Sequence, residues 1–212
     1  MNAASYLTIA RTGTAEIEVK RSRFICHLER VATEDEARAV IERIRKQQWD
    51  ARHNCSAFVL GPEADVERSN DDGEPSGTAG APMLEVLRGR DVSDVVAVVT
   101  RYFGGVLLGA GGLVRAYSDS VRAALDDAGV LQRSLMQLID VVVDHGDAGK
   151  LENDLRARDV SMLGVEYAET ATLHVAVPAE ELESLAGVLA ELTGGTATPR
   201  PTGTMWVDVP NR

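Results

Sequence analysis

A nearly continuous apolar segment that runs directly into glycines is the feature that most constrains the fold of this chain. The segment DVVAVVTRYFGG, residues 94–105, has no regular polar alternation and predicts a buried strand. The segment that follows it, residues 108–129, predicts a helix that begins at glycines and ends at Gly129. A strand of this kind needs helices packed over its sheet.

The residues before this segment alternate between strand and helix patterns. Residues 16–31 predict a strand that bends or breaks near residues 20–23. Residues 33–47 predict a helix, because Thr33 suits the N-cap position and an apolar stripe follows it. Two further segments complete this part, a strand predicted at residues 50–61 and a helix predicted at residues 77–90.

A second pattern starts near Gln137 and reads strand, helix, strand, strand, helix, strand. This order is typical of a ferredoxin-like domain, in which two crossover units share one antiparallel sheet. The predicted fold class is therefore α+β, with domains at residues 1–133 and 134–212. No proline- or glycine-rich linker marks the boundary, so the two domains are expected to be closely packed.

The distribution of charge excludes a general polyanion binder. The net charge is −11, and residues 1–133 carry 17 basic against 20 acidic side chains (−3), whereas residues 134–212 carry 5 against 13 (−8). Basic groups within the first part are the candidates for a shared basic face, which stays a hypothesis beside plain solvated surface. These residues are Lys20, Arg21, Arg23, Arg43, Arg45 and Lys46, with Arg52 and His53 as a further group.

The chain carries no sequence sign of export or membrane insertion. Its first residues lack a basic region followed by an apolar core, and no apolar run approaches the roughly 20 residues of a membrane-spanning helix. Cys26 and Cys55 do not form a CxxC pair, so buried thiols are expected. We expect a soluble cytoplasmic protein with no membrane partner and no cofactor.

The segment DDGEPSGTAGAP, residues 71–82, combines acids with turn-forming residues. Asp72-Gly73 is a turn signal, and Ser76 or Thr78 is a plausible cap for the following helix. Asp71, Asp72 and Glu74 could instead hold Mg²⁺ through their oxygens, although the spacing fails the calcium-loop pattern. A turn accounts for the prolines and glycines but not for three acids in four residues.

The glycine-rich segment at residues 101–118 leaves a buried strand and enters a helix, which is a position that favours an anion. Val114 replaces the third glycine of a dinucleotide fingerprint, and Ala110 stands where a P-loop requires lysine. NAD and Walker-type ATP binding are therefore disfavoured. An anion site and a purely structural role, in which the glycines allow turning and tight packing, remain equally open.

Cys26, His27, His53 and Cys55 form a further set that could bind zinc from adjacent strands. Neighbouring residues of a strand point to opposite faces, so the four side chains cannot all converge. No metal site is therefore expected.

Four motifs together resemble the IMPACT family, and the βαββαβ tail resembles its bacterial YigZ-type branch. The motifs are KRSRFICHL, DARHNCSAF, DDGEPSGTAGAPML and VVTRYFGGVLLGAGGLVRAYS. The resemblance implies a first domain like domain 2 of the small-subunit ribosomal protein S5, a fold shared with domain IV of elongation factor G and with galactokinase-type kinases. It implies a second domain like domain V of elongation factor G.

The resemblance carries motif positions but no catalytic residues. The resulting candidate binding residues are Arg52, His53, Asp72, Glu74, Ser76, Gly77, Thr78, Arg101, Tyr102, Gly104 and Gly105. Further motif positions are Pro75, Gly80, Pro82, Phe103, Gly109, Gly111 and Gly112.

Three functions stay open on the sequence. The first is a non-enzymatic binding protein that contacts RNA, the ribosome or a translation factor. The second is an enzyme or sensor of a small phosphorylated ligand, in which Arg101 supplies charge and Asp72 and Glu74 hold Mg²⁺ or move a proton. The third is a protein-interaction adaptor whose motifs are structural.

Overall fold

The computed structural model describes residues 4–209, which divide into two compact units. The first unit holds the described residues up to Arg133 together with Val209, and the second unit is residues 134–208. Within residues 4–209, no helix combines the length and apolar character needed to cross a membrane.

The first unit is built on a five-stranded sheet of antiparallel pairs. The strands of the first unit are β1 (Ser5–Ile9), β2 (Gly13–Val19), β3 (Ser22–Arg30), β4 (His53–Leu60), β5 (Val66–Asn70) and β6 (Val95–Tyr102), of which the last five form the sheet. Its helices are α1 (Glu34–Gln47), α2 (Gly80–Gly89) and α3 (Ala110–Ala128). The strand order of the sheet is β2-β3-β6-β4-β5, and β1 lies outside it.

Helices cover both faces of this sheet, which explains why β4 and β6 are buried almost throughout. On one face, Cys26, Cys55 and Val99 pack with α2 and α3 in the larger core. On the other face, Phe58 and Val98 pack under α1 in a smaller core. The predicted buried strand is thus confirmed, and it lies at the centre of the sheet.

The start of α1 follows its sequence signal. The Thr33 hydroxyl accepts a hydrogen bond from the Glu36 backbone N–H at 3.2 Å, which confirms the predicted cap. The Glu36 carboxylate reaches back to the N–H of Ala32 at 2.7 Å, one residue earlier than in a standard capping box.

The second unit has the strand arrangement of a ferredoxin-like sheet. Its elements are β7 (Val130–Val143), α4 (His145–Arg156), β8 (Ser161–Tyr167), β9 (Ala171–Pro178), a 3₁₀ turn (Ala179–Glu181), α5 (Leu182–Thr193) and β10 (Pro199–Val209). In the strand order β10-β7-β9-β8, α4 connects β7 to β8 and α5 connects β9 to β10, and one other strand lies between the two members of each pair. The helices pack on a hydrophobic core that belongs to this unit alone. The predicted α+β fold class, with a ferredoxin-like second domain, is confirmed.

Several element boundaries differ from the sequence prediction. The predicted bend near residues 20–23 is a complete two-residue hairpin turn, with Lys20 at φ 48° and Arg21 at φ 65° between β2 and β3. The strands β1 and β5 were not predicted, because both are short and only partly apolar. β7 begins at Val130, seven residues before the predicted start, and β1 pairs with it; its residues 130–133 belong to the first unit.

Candidate functional site

One end of the first-unit sheet brings most of the predicted motif residues together. Strand register pairs Arg23 at the start of β3 with Tyr102 at the end of β6, and His53 at the start of β4 with Arg101. The hairpin turn at residues 20–21 adjoins the same end, because it directly precedes β3. The motif KRSRFICHL on β3 and the motif DARHNCSAF on β4 therefore meet at β6, which is hydrogen-bonded to both strands.

Asp71 shapes the loop after β5 by capping α2. Its Oδ1 accepts the N–H groups of Ala79 (3.0 Å) and Gly80 (2.8 Å), and its Oδ2 accepts the N–H of Gly77 (2.8 Å). Burial raises the pKa of this carboxyl, but the three backbone donors outweigh it and hold the pKa below its ordinary value. Asp71 therefore carries the helix-start role that the sequence assigned to Ser76 or Thr78.

Neither Ser76 nor Thr78 caps the helix. Thr78 donates its hydroxyl back to the carbonyl oxygen of Pro75 at 2.6 Å, inside the loop, and Ser76 is exposed. The residue at the N-cap position of α2 is Ala79, which has no capping side chain. The prediction of a Ser or Thr cap is wrong, because the aspartate eight residues earlier in the chain reaches the same N–H groups.

Asp72 fastens the same loop to β4 and α1. Its Oδ2 accepts the N–H of Asn54 at 2.6 Å, and its Oδ1 forms an ion pair with Arg45. His53 Nδ1 lies 2.9 Å from the Asp72 carbonyl oxygen. Asp72 adopts a φ of 44°, within the left-handed region that a turn ahead of Gly73 requires. Both carboxylate oxygens are thus occupied by protein donors.

Glu74 and Arg101 form a buried ion pair in the centre of the site. Glu74 Oε1 accepts from Arg101 Nη1 at 2.6 Å and from the Tyr117 hydroxyl at 2.8 Å. The side chains are only 3% exposed for Glu74 and 8% for Arg101. The guanidinium also stacks near the rings of Phe24 (5.5 Å) and Phe103 (5.6 Å). This pair joins the loop of residues 71–79 to the end of β6.

The hydrogen-bond chain from Glu74 continues into the core through α3. Tyr117 accepts a weak hydrogen bond from Cys55 Sγ at 3.3 Å, and the same thiol lies 3.0 Å from the Asp71 carbonyl oxygen. Burial raises the pKa of Cys55 to about 12 and raises that of Tyr117 well above its ordinary value. Both groups stay protonated near neutral pH, so neither is an activated nucleophile.

Gly104, one of the two glycines after β6, serves close backbone packing. A Cβ on Gly104 would lie 2.0 Å from the carbonyl carbon of Arg21, and the Gly104 N–H donates to the Ser22 hydroxyl at 3.1 Å. Gly105 has a φ of +83°, with open space around it. The hairpin turn and the glycine-rich segment are therefore in direct contact, and this contact favours the structural role of Gly104.

Aromatic side chains surround the same sheet end and remain accessible. Tyr102 lies on the α1 face, where its hydroxyl is 2.7 Å from Gln48 Oε1 and the Arg23 guanidinium stacks on its ring. Phe103 is 49% exposed, and Trp49, just after α1, is 82% exposed. Sequence reasoning passed over Trp49, although its place next to the basic end of α1 was a usable signal.

The predicted basic face divides into paired and unpaired cations. Three of its members have carboxylate partners, in the pairs Arg23–Glu16, Arg43–Glu29 and Arg45–Asp72. Four exposed cations have no carboxylate within 4.0 Å among residues 4–209, and these are Lys20, Arg21, Lys46 and Arg52. We define the sheet-end surface as these four cations together with Trp49, Tyr102 and Phe103.

The zinc alternative does not fit the strand faces. Cys26 and Cys55 both flank Val99 and point into the larger core, where burial raises the pKa of both thiols. His27 instead contacts Glu29 at 3.0 Å. Across the described chain, no group of three or more His, Cys, Asp or Glu side chains is placed to hold a metal ion.

Two sites of interest escaped the sequence reasoning. Tyr117 lies within the helix predicted at residues 108–129, and its hydroxyl bond to Glu74 carries no sequence signal because the two residues are 43 positions apart. Arg38 and Arg68 were not singled out, and the structure places both beside one cavity with Arg45.

Comparisons with known proteins agree with this architecture. The Impact N-terminal domain model matches residues 20–125, and a model described as a domain of unknown function, DUF1949, matches residues 141–196. The chain is 48% identical to the IMPACT family member YvyE of Bacillus subtilis, over 90% of this chain and 88% of that protein. It is 36% identical to the IMPACT family member YigZ of Escherichia coli, over 91% of this chain and 95% of that protein.

A solved structure shares the fold over nearly the same length. A chain described as the crystal structure of a hypothetical protein matches with a TM-score of 0.63 and 35% identity, covering 93% of this chain and 97% of that one. The two family models fall on the two units seen in the structure, and the relatives match along almost their whole length. The chain therefore belongs to the IMPACT family and is a member of its bacterial YigZ-type branch.

Proposed function

We propose that this protein is a non-enzymatic, translation-related binding protein that contacts RNA through the sheet-end surface. Membership of the IMPACT family and the predicted kinship with ribosomal and elongation-factor domains support a role at the ribosome or on a translation factor. Among these partners, RNA is the one whose chemistry best matches the side chains of the surface.

The observation that carries the proposal is the meeting of unpaired cations and exposed aromatic rings at one end of a sheet. Lys20 and Arg21 lie at the tip of a hairpin, where long side chains can follow a phosphate backbone. Phe103 and Trp49 offer exposed ring faces on which unpaired bases can stack. Cations position an RNA strand, and rings bind its bases.

The buried network under the surface supports a binding role over a catalytic one. The Glu74 carboxylate is taken up by Arg101 and Tyr117, and the Asp72 carboxylate by Arg45 and Asn54. Both Asp72 oxygens are therefore occupied, and the Glu74 charge is already neutralised by Arg101 through Oε1, which disfavours Mg²⁺ binding and proton transfer at these acids. The network instead fixes the loop and the glycine-rich segment in one conformation, which reduces the ordering cost of binding a partner.

The overall acidity of the chain sets the expected strength of binding. With a net charge of −11, the protein repels polyanions at long range, and local cations must overcome that repulsion. Binding is therefore expected to be steeply salt-dependent and weak at physiological ionic strength.

The test is a fluorescence-anisotropy titration of a labelled RNA hairpin with a single-stranded loop, at several salt concentrations between about 25 and 200 mM. We expect the double variant Lys20→Gln, Arg21→Gln to weaken binding. It should also lower the slope of log affinity against log salt by about 1 for each phosphate that the variant no longer neutralises. Phe103→Ala is expected to weaken binding by about 1 to 3 kcal/mol while leaving that slope unchanged.

Arg90→Gln is the matched control, since Arg90 is exposed, ends α2 away from the loop and pairs with Asp126. It should leave the titration unchanged. Absence of binding at about 25 mM salt, or binding without salt dependence, would contradict the proposal. Binding that stays at the wild-type level in both the double variant and Phe103→Ala would place the RNA contact elsewhere on the chain.

A further inference from the structure

A cavity of about 400 Å³ lies between α1 and the β4–β5 edge of the first-unit sheet. Its volume is within the range of about 300 to 1,000 Å³ that is typical of small-ligand sites. The lining residues are Arg38, Ile41, Glu42, Arg45, Ser56, Phe58, Arg68, Ser69 and Asn70. None of these residues belongs to the sheet-end surface defined above.

Three arginines approach this cavity from two sides. Arg38 and Arg45 are seven residues apart in α1 and therefore lie on one stripe of the helix, with Ile41 between them. Arg68 comes from the edge strand β5, where it pairs in register with Phe58 of β4. Arginine presents a planar fork of N–H donors that matches phosphate oxygens, so two facing arginines are suited to holding one phosphate group.

The existing contacts of these arginines can be exchanged for a ligand. Arg38 pairs with Glu34 one helical turn away, and exposed pairs of this type contribute little to stability because water screens them. Arg68 donates to the carbonyl oxygen of Glu67 at 2.9 Å. Among the described residues, no carboxylate lies within 4.0 Å of the Arg68 guanidinium. Of the three lining arginines, Arg68 is therefore the one without an ion-pair partner in the described chain, and Glu34, whose pKa is lowered mainly by Arg38, is the nearby carboxylate on which its charge also acts.

The lining charge fits one phosphate better than several. Three arginines and Glu42 line the cavity, which gives a formal sum of +2, from three positive charges and one negative. Arg45 is further neutralised by Asp72 outside the cavity. With Asp72 on Arg45 and Glu34 on Arg38 also counted, the local sum falls to zero, so a phosphate monoester of charge about −1.5 to −2 has to displace a carboxylate from its arginine, and a triphosphate would require several such exchanges.

The rest of the lining suits the remainder of a nucleotide-sized molecule. Ile41 and Phe58 form an apolar floor at the foot of α1, and Phe58 is packed in the smaller core. Ser56 and Asn70 pair in register across β4 and β5, so a hydroxyl and an amide group line the wall opposite the arginines of α1. Few polar groups placed beside an apolar surface are typical of small-molecule sites.

We propose that this cavity binds a small phosphorylated metabolite, of the class of a nucleoside monophosphate, with the phosphate held between Arg68 and Arg38. The site is separate from the RNA-binding proposal, because it uses different residues on the α1 face of the sheet. It adjoins the loop of residues 71–79 through the Arg45–Asp72 ion pair, so occupancy can alter how that loop is held.

The test uses ¹H–¹⁵N correlation spectra of the intact protein, titrated separately with adenosine monophosphate, inorganic phosphate and adenosine. We expect adenosine monophosphate to shift the backbone amide signals of Ser69, Asn70 and Ile41 in a saturable manner. Phosphate should shift the same signals more weakly, and adenosine should shift them least. The amides of Gly104 and Gly105, beside the sheet-end surface, should not move.

Two variants and a matched control complete the design. Arg68→Gln and Arg38→Gln should each weaken adenosine monophosphate binding roughly tenfold, because each removes a charge-assisted contact. Arg122→Gln removes an exposed arginine of α3 that pairs with Asp119, and it should bind as the wild type does.

Three outcomes would overturn the proposal. The first is no shift of these amides with any phosphate-bearing probe up to about 10 mM, which corresponds to less than about 3 kcal/mol of binding. The second is equal weakening by Arg122→Gln, which would show general charge attraction. The third is a 5′-phosphorylated oligonucleotide that binds through Arg68 more tightly than adenosine monophosphate, which would make the cavity part of an RNA-binding surface.

Discussion

At the scale of single residues, Glu74 and Arg101 set the stability of the site because each is buried against the other. Removing one partner of a buried pair leaves an uncompensated charge and costs about 3 to 5 kcal/mol. We expect Glu74→Gln to lower the free energy of unfolding by about 3 kcal/mol, the lower end of this range, because glutamine still accepts from Tyr117. Urea unfolding followed by circular dichroism measures this change.

Glu85→Gln is the control for this measurement. Glu85 is 67% exposed and pairs with Arg88 three residues away, so its removal should change the stability by less than about 0.5 kcal/mol. Equal effects of the two substitutions would mean that Glu74 contributes no more than a surface charge.

Asp71 gives the site a dependence on acid pH. Its folded pKa lies below the unfolded value, so its contribution is present above the unfolded pKa and is lost as pH falls through the folded pKa. We expect Asp71→Asn to destabilise the protein by about 1 kcal/mol at pH 7, because asparagine cannot accept from all three N–H groups. The gap between wild type and variant should close as pH falls below the ordinary carboxyl pKa of about 4 and through the lower folded pKa of Asp71.

Unfolding free energies measured at half-unit steps of pH from about 6 to about 2.5 test this expectation. Taking the difference between the two proteins cancels the other titrating carboxyls, several of which also have lowered pKa values, among them Glu16, Glu29 and Asp127. A constant gap over the whole range would show that the Asp71 carboxylate is not held by the backbone donors.

At the scale of elements, the contact between the β2–β3 hairpin and the segment after β6 depends on Gly104. A Cβ there would lie 2.0 to 2.1 Å from the backbone carbonyl of Arg21, which cannot move like a flexible side chain. We expect Gly104→Ala to destabilise the protein by about 1 to 3 kcal/mol. Gly111→Ala, in the first turn of α3 with open space around it, should instead stabilise by about 0.5 to 1 kcal/mol.

Thermal melts of both variants measure these two effects, the steric clash expected at position 104 and the gain in helix propensity expected at position 111. If Gly104→Ala melted like the wild type, the two segments would not be in the close contact seen in the structure. The two substitutions also show which glycines the segment requires. Gly104 is required because a Cβ would clash there, whereas Gly111 can be replaced by alanine.

The same elements show what the sequence could and could not predict. The strand β6 and the helices α1 and α3 follow from local patterns, since apolar runs, caps and stripes are short-range signals. The cap of α2 could not be predicted, because Asp71 reaches it across eight residues of loop. Contacts between β4, β5 and α1 that form the cavity depend on sheet order, which no local pattern contains.

At the scale of the whole molecule, charge and packing divide between two units. Residues 134–212 carry −8 of the net charge of −11, so most of the repulsion toward a polyanion belongs to the part that lacks the sheet-end surface. The described residues form separate hydrophobic clusters, two in the first unit and one in the second, with no residue in common. Each unit therefore has the apolar core that an independent fold requires.

This division predicts that a core defect in one unit remains confined to it. Leu189 of α5 is fully buried in the second-unit cluster, so Leu189→Ala should remove about 2 to 5 kcal/mol of local stability. Hydrogen exchange followed by mass spectrometry should show faster exchange in peptides from β9 and α5, while peptides from β6 keep wild-type rates. Leu163→Ala, at a side chain that is 46% exposed on β8, is the control and should leave both sets unchanged. Faster exchange in β6 of Leu189→Ala would instead show that the two cores unfold as a single cooperative structure, with β7, the strand that runs from one unit into the other, as the element that couples them.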